Sequence, residues 1–120
     1  MSNKETTQQV SLTPAMFYVL LSLADGDKHG YAILKEVSQN SEGNVRLSAG
    51  TLYGVIRKLQ SEGYITETET RPRAALDDER RRYYRLTAVG KIVASAEAQR
   101  MEQLVNIARS KLLLRKPNPV

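Results

Sequence analysis

Six arginines fall within residues 71–85: Arg71, Arg73, Arg80, Arg81, Arg82 and Arg85, from a chain total of 18 Lys+Arg. Not one lysine interrupts them. The guanidinium group offers forked donors that match the oxygens of a phosphate, and it also inserts into narrow minor grooves. A run of this kind points to nucleic-acid backbone chemistry, with Asp77, Asp78 and Glu79 available to pair with the arginines in the free protein. A merely solvated basic loop is the plain alternative. A second set of such residues lies upstream. Ser48, Thr51, Tyr53, Gly54, Arg57 and Lys58 combine hydroxyls, two cations and a bare backbone position. Arginine at such a place forks onto guanine or a phosphate, and lysine acts as a point charge.

Catalytic chemistry has little to work with. There is no Cys and only one His, His29. Disulfides, thiolate metal sites, a cysteine nucleophile and any multi-histidine centre are thereby excluded. No nucleophile-elbow or phosphate-cradling glycine pattern accompanies the serines, so neither an enzyme activity nor a cofactor is expected. Asp25, Asp27, His29, Gly30 and Glu36 fall at positions 1, 3, 5, 6 and 12 of a calcium-loop pattern. Histidine at position 5 and a helical pattern through the second half argue against a calcium site.

The elements that would position these groups read as mainly α with a small β-hairpin. Residues 1–12 are polar and aperiodic, and are expected to form a flexible arm. Thr13-Pro14 starts a helix, with Thr as cap and Pro at the first helical position. Its run to Leu23 is almost wholly apolar, and Asp25-Gly26-Asp27 ends it. A second helix follows over about residues 30–38. Val45-Arg46-Leu47 permits a brief strand. Ser48 caps a third helix, in which Leu52, Val55, Ile56 and Leu59 make an i, i+3, i+4, i+7 core stripe. The opposite face carries Gly50, Gly54, Arg57 and Ser61, flanked by Thr51, Tyr53 and Lys58. That face is either a reading surface or simply a solvated one. Glu62-Gly63 closes the helix.

Residues 64–70 alternate β-branched residues with Glu, as a strand with one solvent face does. Residues 81–86 form its partner, with Arg82, Tyr84 and Leu86 on one side and Arg81, Tyr83 and Arg85 on the other. One side lies over the core. From Thr87 to about Leu114 the pattern is helical, roughly 40 Å at the standard rise. Its stripe is Val89, Ile92, Val93, Ala96, Met101, Leu104, Val105, Ala108 and Leu112. A helix longer than so small a core can cover implies a partner chain, here a second copy. Residues 115–120 are a tail.

Three helices, a basic hairpin and a long helix make a winged helix-turn-helix with a C-terminal dimerisation helix. Residues 13–86 form the DNA-binding part and residues 87–114 the dimerising part. In that architecture a helix enters the major groove and the wing reaches phosphate or minor groove. The net charge of +5 and pI near 9.6 suit a polyanionic partner. Neither a secretory leader nor a membrane span is seen, and the cytoplasm is the expected location.

Five stretches carry a resemblance to the PadR-like family of transcriptional regulators: residues 12–23, His29-Gly30-Tyr31-Ala32-Ile33, Ser48-Ala49-Gly50-Thr51-Leu52-Tyr53, residues 59–65 and residues 82–90. The resemblance implies a dimeric winged-helix repressor, with the third helix in the major groove and the C-terminal helix as dimer seam. The single C-terminal helix resembles the compact branch of the family. The resemblance also puts the His29–Tyr31 segment near the DNA backbone, where Tyr31 is either a phosphate donor or a filler of the core edge. Gly54 stands where family members commonly have Pro, and the wing is longer than the short Gly/Arg-rich form. The chain has no Trp, so the tryptophan-lined effector pocket of some relatives does not carry over.

The expected function is therefore a homodimeric, sequence-specific repressor on a palindromic double-stranded operator, released by a small-molecule effector at the dimer interface. Two other readings compete: a winged helix that docks proteins, and a single-strand binder using Tyr53, Tyr64, Tyr83 and Tyr84 as a stacking platform.

Overall fold

The computed structural model describes residues 12–69 and 82–115. Each helix start is set by a side chain that accepts an orphan amide, as helix geometry requires. Helix α1 (Pro14–Ser22) is capped by Thr13, whose Oγ1 accepts from Met16 N at 3.1 Å. Its Met16, Phe17, Val19 and Leu20 are buried. So is Ser22, whose hydroxyl donates to the Val19 carbonyl at 2.7 Å. Leu12, read from sequence as the end of a free arm, packs against the core instead. Strand β1 (Lys28–His29) and helix α2 (Gly30–Asn40) follow. Ile33 and Val37 of α2 are fully buried, and the helix runs two residues beyond the expected Ser38.

Residues 45–47 form no strand. The Ser41 hydroxyl accepts from Val45 N at 2.9 Å, which serves that amide without a ladder. Helix α3 (Ala49–Ser61) buries Leu52, Ile56 and Leu59, with Val55 partly covered, so the expected stripe is the core face. It ends at Gly63, whose φ of +80° is the left-handed turn that a side chain disfavours. Tyr64 N then donates to the Leu59 carbonyl at 2.9 Å and Gly63 N to the Gln60 carbonyl at 3.0 Å, the paired bonds of a Schellman stop.

Strands β2 (Ile65–Thr68) and β3 (Tyr83–Leu86) pair antiparallel, with Ile65 opposite Leu86 and Thr68 opposite Tyr83. β3 is the central strand, because β1 pairs along its other edge, Lys28 opposite Tyr84 and His29 opposite Tyr83. This corrects the two-stranded expectation. One side of β3 was expected over the core; Tyr83 and Tyr84 point to opposite faces, and both are buried. Tyr84 enters the helical core. The Tyr83 and His29 rings meet at right angles, with centroids 5.3 Å apart.

Helix α4 (Ala88–Ser110) is anchored by Thr87. The Thr87 hydroxyl donates to the Gly63 carbonyl at 2.7 Å and accepts from Gly90 N at 2.9 Å, while its amide donates to the Tyr64 carbonyl at 3.0 Å. One residue thus ties the end of α3 to the start of α4. The helix stops at Ser110, about 34 Å from its start by the standard rise. Leu112 lies beyond it in a left-handed turn, φ +66°, and is not part of the helical stripe as expected. Val93 packs on the core, whereas Val89, Ile92, Ala96, Leu104 and Val105 are exposed.

Candidate nucleic-acid interface

The outward face of α3 is built from the bottom up by its core stripe. With Leu52, Ile56 and Leu59 inward, Gly50, Gly54, Arg57 and Ser61 project the other way at the 3.6-residue period. Arg57 is exposed, and among the described residues no acid pairs with it. A Cβ added at Gly50 or Gly54 meets nothing within 4 Å. The absence of side chains there is therefore not demanded by packing within the protein.

At the entry of α3, Ser48 Oγ accepts from Thr51 N at 3.1 Å and donates to Thr51 Oγ1 at 3.0 Å. Both side chains are exposed and preorganised by each other. Lys58 is less free than the sequence implies. It pairs with Glu62 one turn on, at 3.5 Å, a spacing that residue order alone provides. Tyr53 reaches back to the start of α2. Its hydroxyl occupies the space beside Gly30, where a Cβ would come within 2.5 Å of it. Tyr53 therefore locks α3 against the start of α2, and 39% of it stays exposed.

The start of α2 is held by His29, whose Nδ1 accepts from Ala32 N at 3.2 Å. The acceptor role requires Nδ1 to be unprotonated. Tyr31 is 64% exposed and stacks on His29 with ring planes 14° apart. This removes the core-edge reading of Tyr31. The acids of the apparent calcium loop are committed elsewhere. Asp25 and Glu36 both pair with Lys28, at 2.5 and 3.5 Å. Asp27 accepts a forked pair of bonds from Arg85, at 3.2 and 2.9 Å. The hydrogen bond and charge of Lys28 hold the Asp25 carboxyl below its ordinary value.

Arg82 is exposed at the start of β3 and lies 3.8 Å from Glu67 on β2. Arg71, Arg73, Arg80 and Arg81 lie outside the described residues. Beneath the hairpin, burial pushes the Tyr84 phenol above its ordinary value, with the Tyr53 phenol and Glu67 adding to the effect and Arg82 opposing it. His29 reads from the sequence as a helix-start residue rather than a ligand or base, and it is the cap of α2. Sequence reasoning missed β1 and the Asp27–Arg85 clamp.

Helix-turn-helix, three-stranded wing and anchored C-terminal helix define a winged-helix protein. The profile of the transcriptional regulator PadR-like family matches residues 19–96. A PadR family transcription regulator from Clostridium difficile has the same fold, with a TM-score of 0.68 at 22% identity over 83% of this chain and 99% of that one. The transcriptional regulator Rv3488 of Mycobacterium tuberculosis is 28% identical over 87 residues, which cover 72% of this chain and 75% of that protein. A 37.1 kDa protein of transposon TN4556 in Streptomyces fradiae is 34% identical over 90 residues; the match spans 75% of this chain but only 24% of that protein. The chain belongs to the PadR-like family of transcriptional regulators. It is accordingly a DNA-binding regulator and not an enzyme. Among the described residues no helix is long and apolar enough to cross a membrane.

Proposed function

We propose that the chain acts as a homodimeric repressor that lays one α3 from each protomer into the major groove of a palindromic operator. The observation that carries the reading is the outward face of α3, where exposed Arg57 sits one turn from Gly54 and open space stands over Gly50 and Gly54. A bare helix backbone comes close to the base edges, and Arg57 then forks onto guanine. Ser48 and Thr51 serve the entry of the helix, and Tyr53 its flank. Lys58, Tyr31 and the wing arginines Arg71, Arg73, Arg80, Arg81 and Arg82 supply backbone contacts that position without specifying.

The division of labour follows the elements. Residues 13–86 hold the DNA, and α4 holds the second copy. Val89, Ile92, Leu104 and Ile107 are each more than half exposed, and Ala96 and Val105 are also exposed, on a helix that the core covers only near its start. Such a stripe is stabilised by burial against its own copy. In this proposal a small molecule seated between the two copies changes the angle of the α4 pair and so the spacing of the two α3 helices.

Selection from random duplex DNA by the purified protein tests the reading. The expected winner is a two-fold symmetric site with half-sites about one helical turn or a multiple apart. Its affinity falls steeply with salt. Recovery of no motif, with equal weak binding to every duplex, overturns the proposal. Preference for the single strand replaces it with the stacking reading.

A further inference from the structure

A groove of about 400 Å³, open to solvent, runs between α2 and the segment that leads into α3. Tyr31, Leu34, Lys35 and Ser38 line one side, at the i, i+3, i+4, i+7 spacing of a single helix face. Arg46 and Leu47 line the other. Leu34 and Leu47 also pack against the core, so the floor of the groove is apolar and fixed.

Its charge is one-sided. Lys35 and Arg46 are exposed, and among the described residues neither forms an ion pair. No carboxylate lines the groove. Glu36, next to Lys35 in the chain, is drawn to Lys28 instead. Arg46 is also positioned rather than loose. The backbone at Gly43, φ +83°, passes so close that a Cβ there would lie 3.3 Å from the guanidinium Nη2. Two like charges lining one groove repel until an anion arrives.

We infer that this groove takes a backbone phosphate of the DNA, on the strand flanking the bases that α3 reads. The inference rests on the duplex-binding reading of α3. Leu47 of the groove is followed directly by Ser48, the cap of α3, so the groove adjoins the entry of that helix. Openness favours a polymer that is held elsewhere over a small free anion, which would stay largely in water. Lys35 and Arg46 then add affinity without adding sequence preference.

The test compares wild type with the double variant Lys35→Gln, Arg46→Gln on the selected operator and on a random duplex across a salt series. The expected result is a several-fold loss of affinity on both duplexes alike, with the log–log salt slope reduced by about one unit. The charge-conserving pair Lys35→Arg, Arg46→Lys retains the wild-type slope. Both side chains are exposed, so thermal melting of the variants stays at the wild-type value. A double variant with an unchanged slope, measured against a steep wild type, overturns the inference alone. A loss confined to the operator also overturns it, because it assigns the pair to base reading. A wild type whose duplex affinity ignores salt overturns the underlying reading and this inference together.

Discussion

The Gly90 α-carbon lies so close to the Tyr64 carbonyl that a Cβ at residue 90 collides with both its oxygen and its carbon. The backbone at Gly90 needs no left-handed angle; what excludes a side chain there is the approach of α4 to the chain leaving α3. Thr87 makes that approach with its hydroxyl and amide. The relationship joins the end of the proposed reading helix to the start of the proposed dimer seam through a few backbone atoms.

Gly90→Ala therefore forces α4 away from its seat. The obstacle is backbone, which does not swing aside as a side chain does, and the expected loss is about 2 kcal/mol or more, within or above the usual range for overpacking. Thermal melting reads the loss. Sedimentation reads whether the displaced helix still pairs with its copy. A variant that melts with wild type would show that the junction gives way freely.

His29 makes the second prediction. Its Nδ1 caps α2 and its ring meets that of Tyr83 at right angles. His29→Ala removes an N-cap, at a cost of about 1 kcal/mol, and adds the loss of the ring contact. His29→Asn restores an acceptor at the cap but not the ring, and is expected to recover part of the stability. Equal melting of the Ala and Asn variants would mean that the cap contributes nothing.

The local signals were legible where one residue type does one job. Thr13 and Ser48 cap two helices, Gly63 ends one, and the Leu52–Leu59 stripe faces inward as its spacing requires. Strand β1 was not legible. Two residues carry no period, and Lys28 and His29 become a strand only through β3, some 55 positions away. The double burial of β3 escaped for the same reason: the His29 ring lies against Tyr83, a neighbour that no local pattern announces. Leu112 continued the apolar spacing, but the helix had already turned at Lys111. On the candidate site, the faces followed from periodicity. The pairing of Lys58 with Glu62 and of Arg85 with Asp27 is a matter of side-chain geometry.

Alkaline pH gives the third prediction. Burial raises the Tyr84 phenol above its ordinary value of 10.0, as it does Tyr64. A group whose folded value is raised contributes stability in full below the unfolded value and loses it as pH rises through the folded one. Stability from these phenols is thus complete through neutral pH and declines above about pH 10. Tyr84→Phe has no proton to lose there, and its alkaline limb is shallower. Melting temperature against pH checks this, with tyrosinate absorbance as the independent readout. A Tyr84→Phe limb as steep as wild type would assign the decline to other groups.

Gly54 separates stability from function. Nothing lies within 4 Å of a Cβ there, and its position inside α3 makes glycine costly, by about 1 kcal/mol relative to alanine. Gly54→Ala is therefore expected to raise stability by roughly that amount. If the bare backbone at residue 54 exists for close approach to base edges, the same substitution weakens operator binding while leaving affinity for random duplex nearly unchanged. The added methyl acts only where α3 is seated in the groove, whereas backbone contacts are made in both complexes. Melting and two binding isotherms decide the matter. A variant that is more stable and binds its operator as before would mean that residue 54 faces solvent in the complex as well, and the outward face of α3 would then have to read through Arg57 and Thr51 alone.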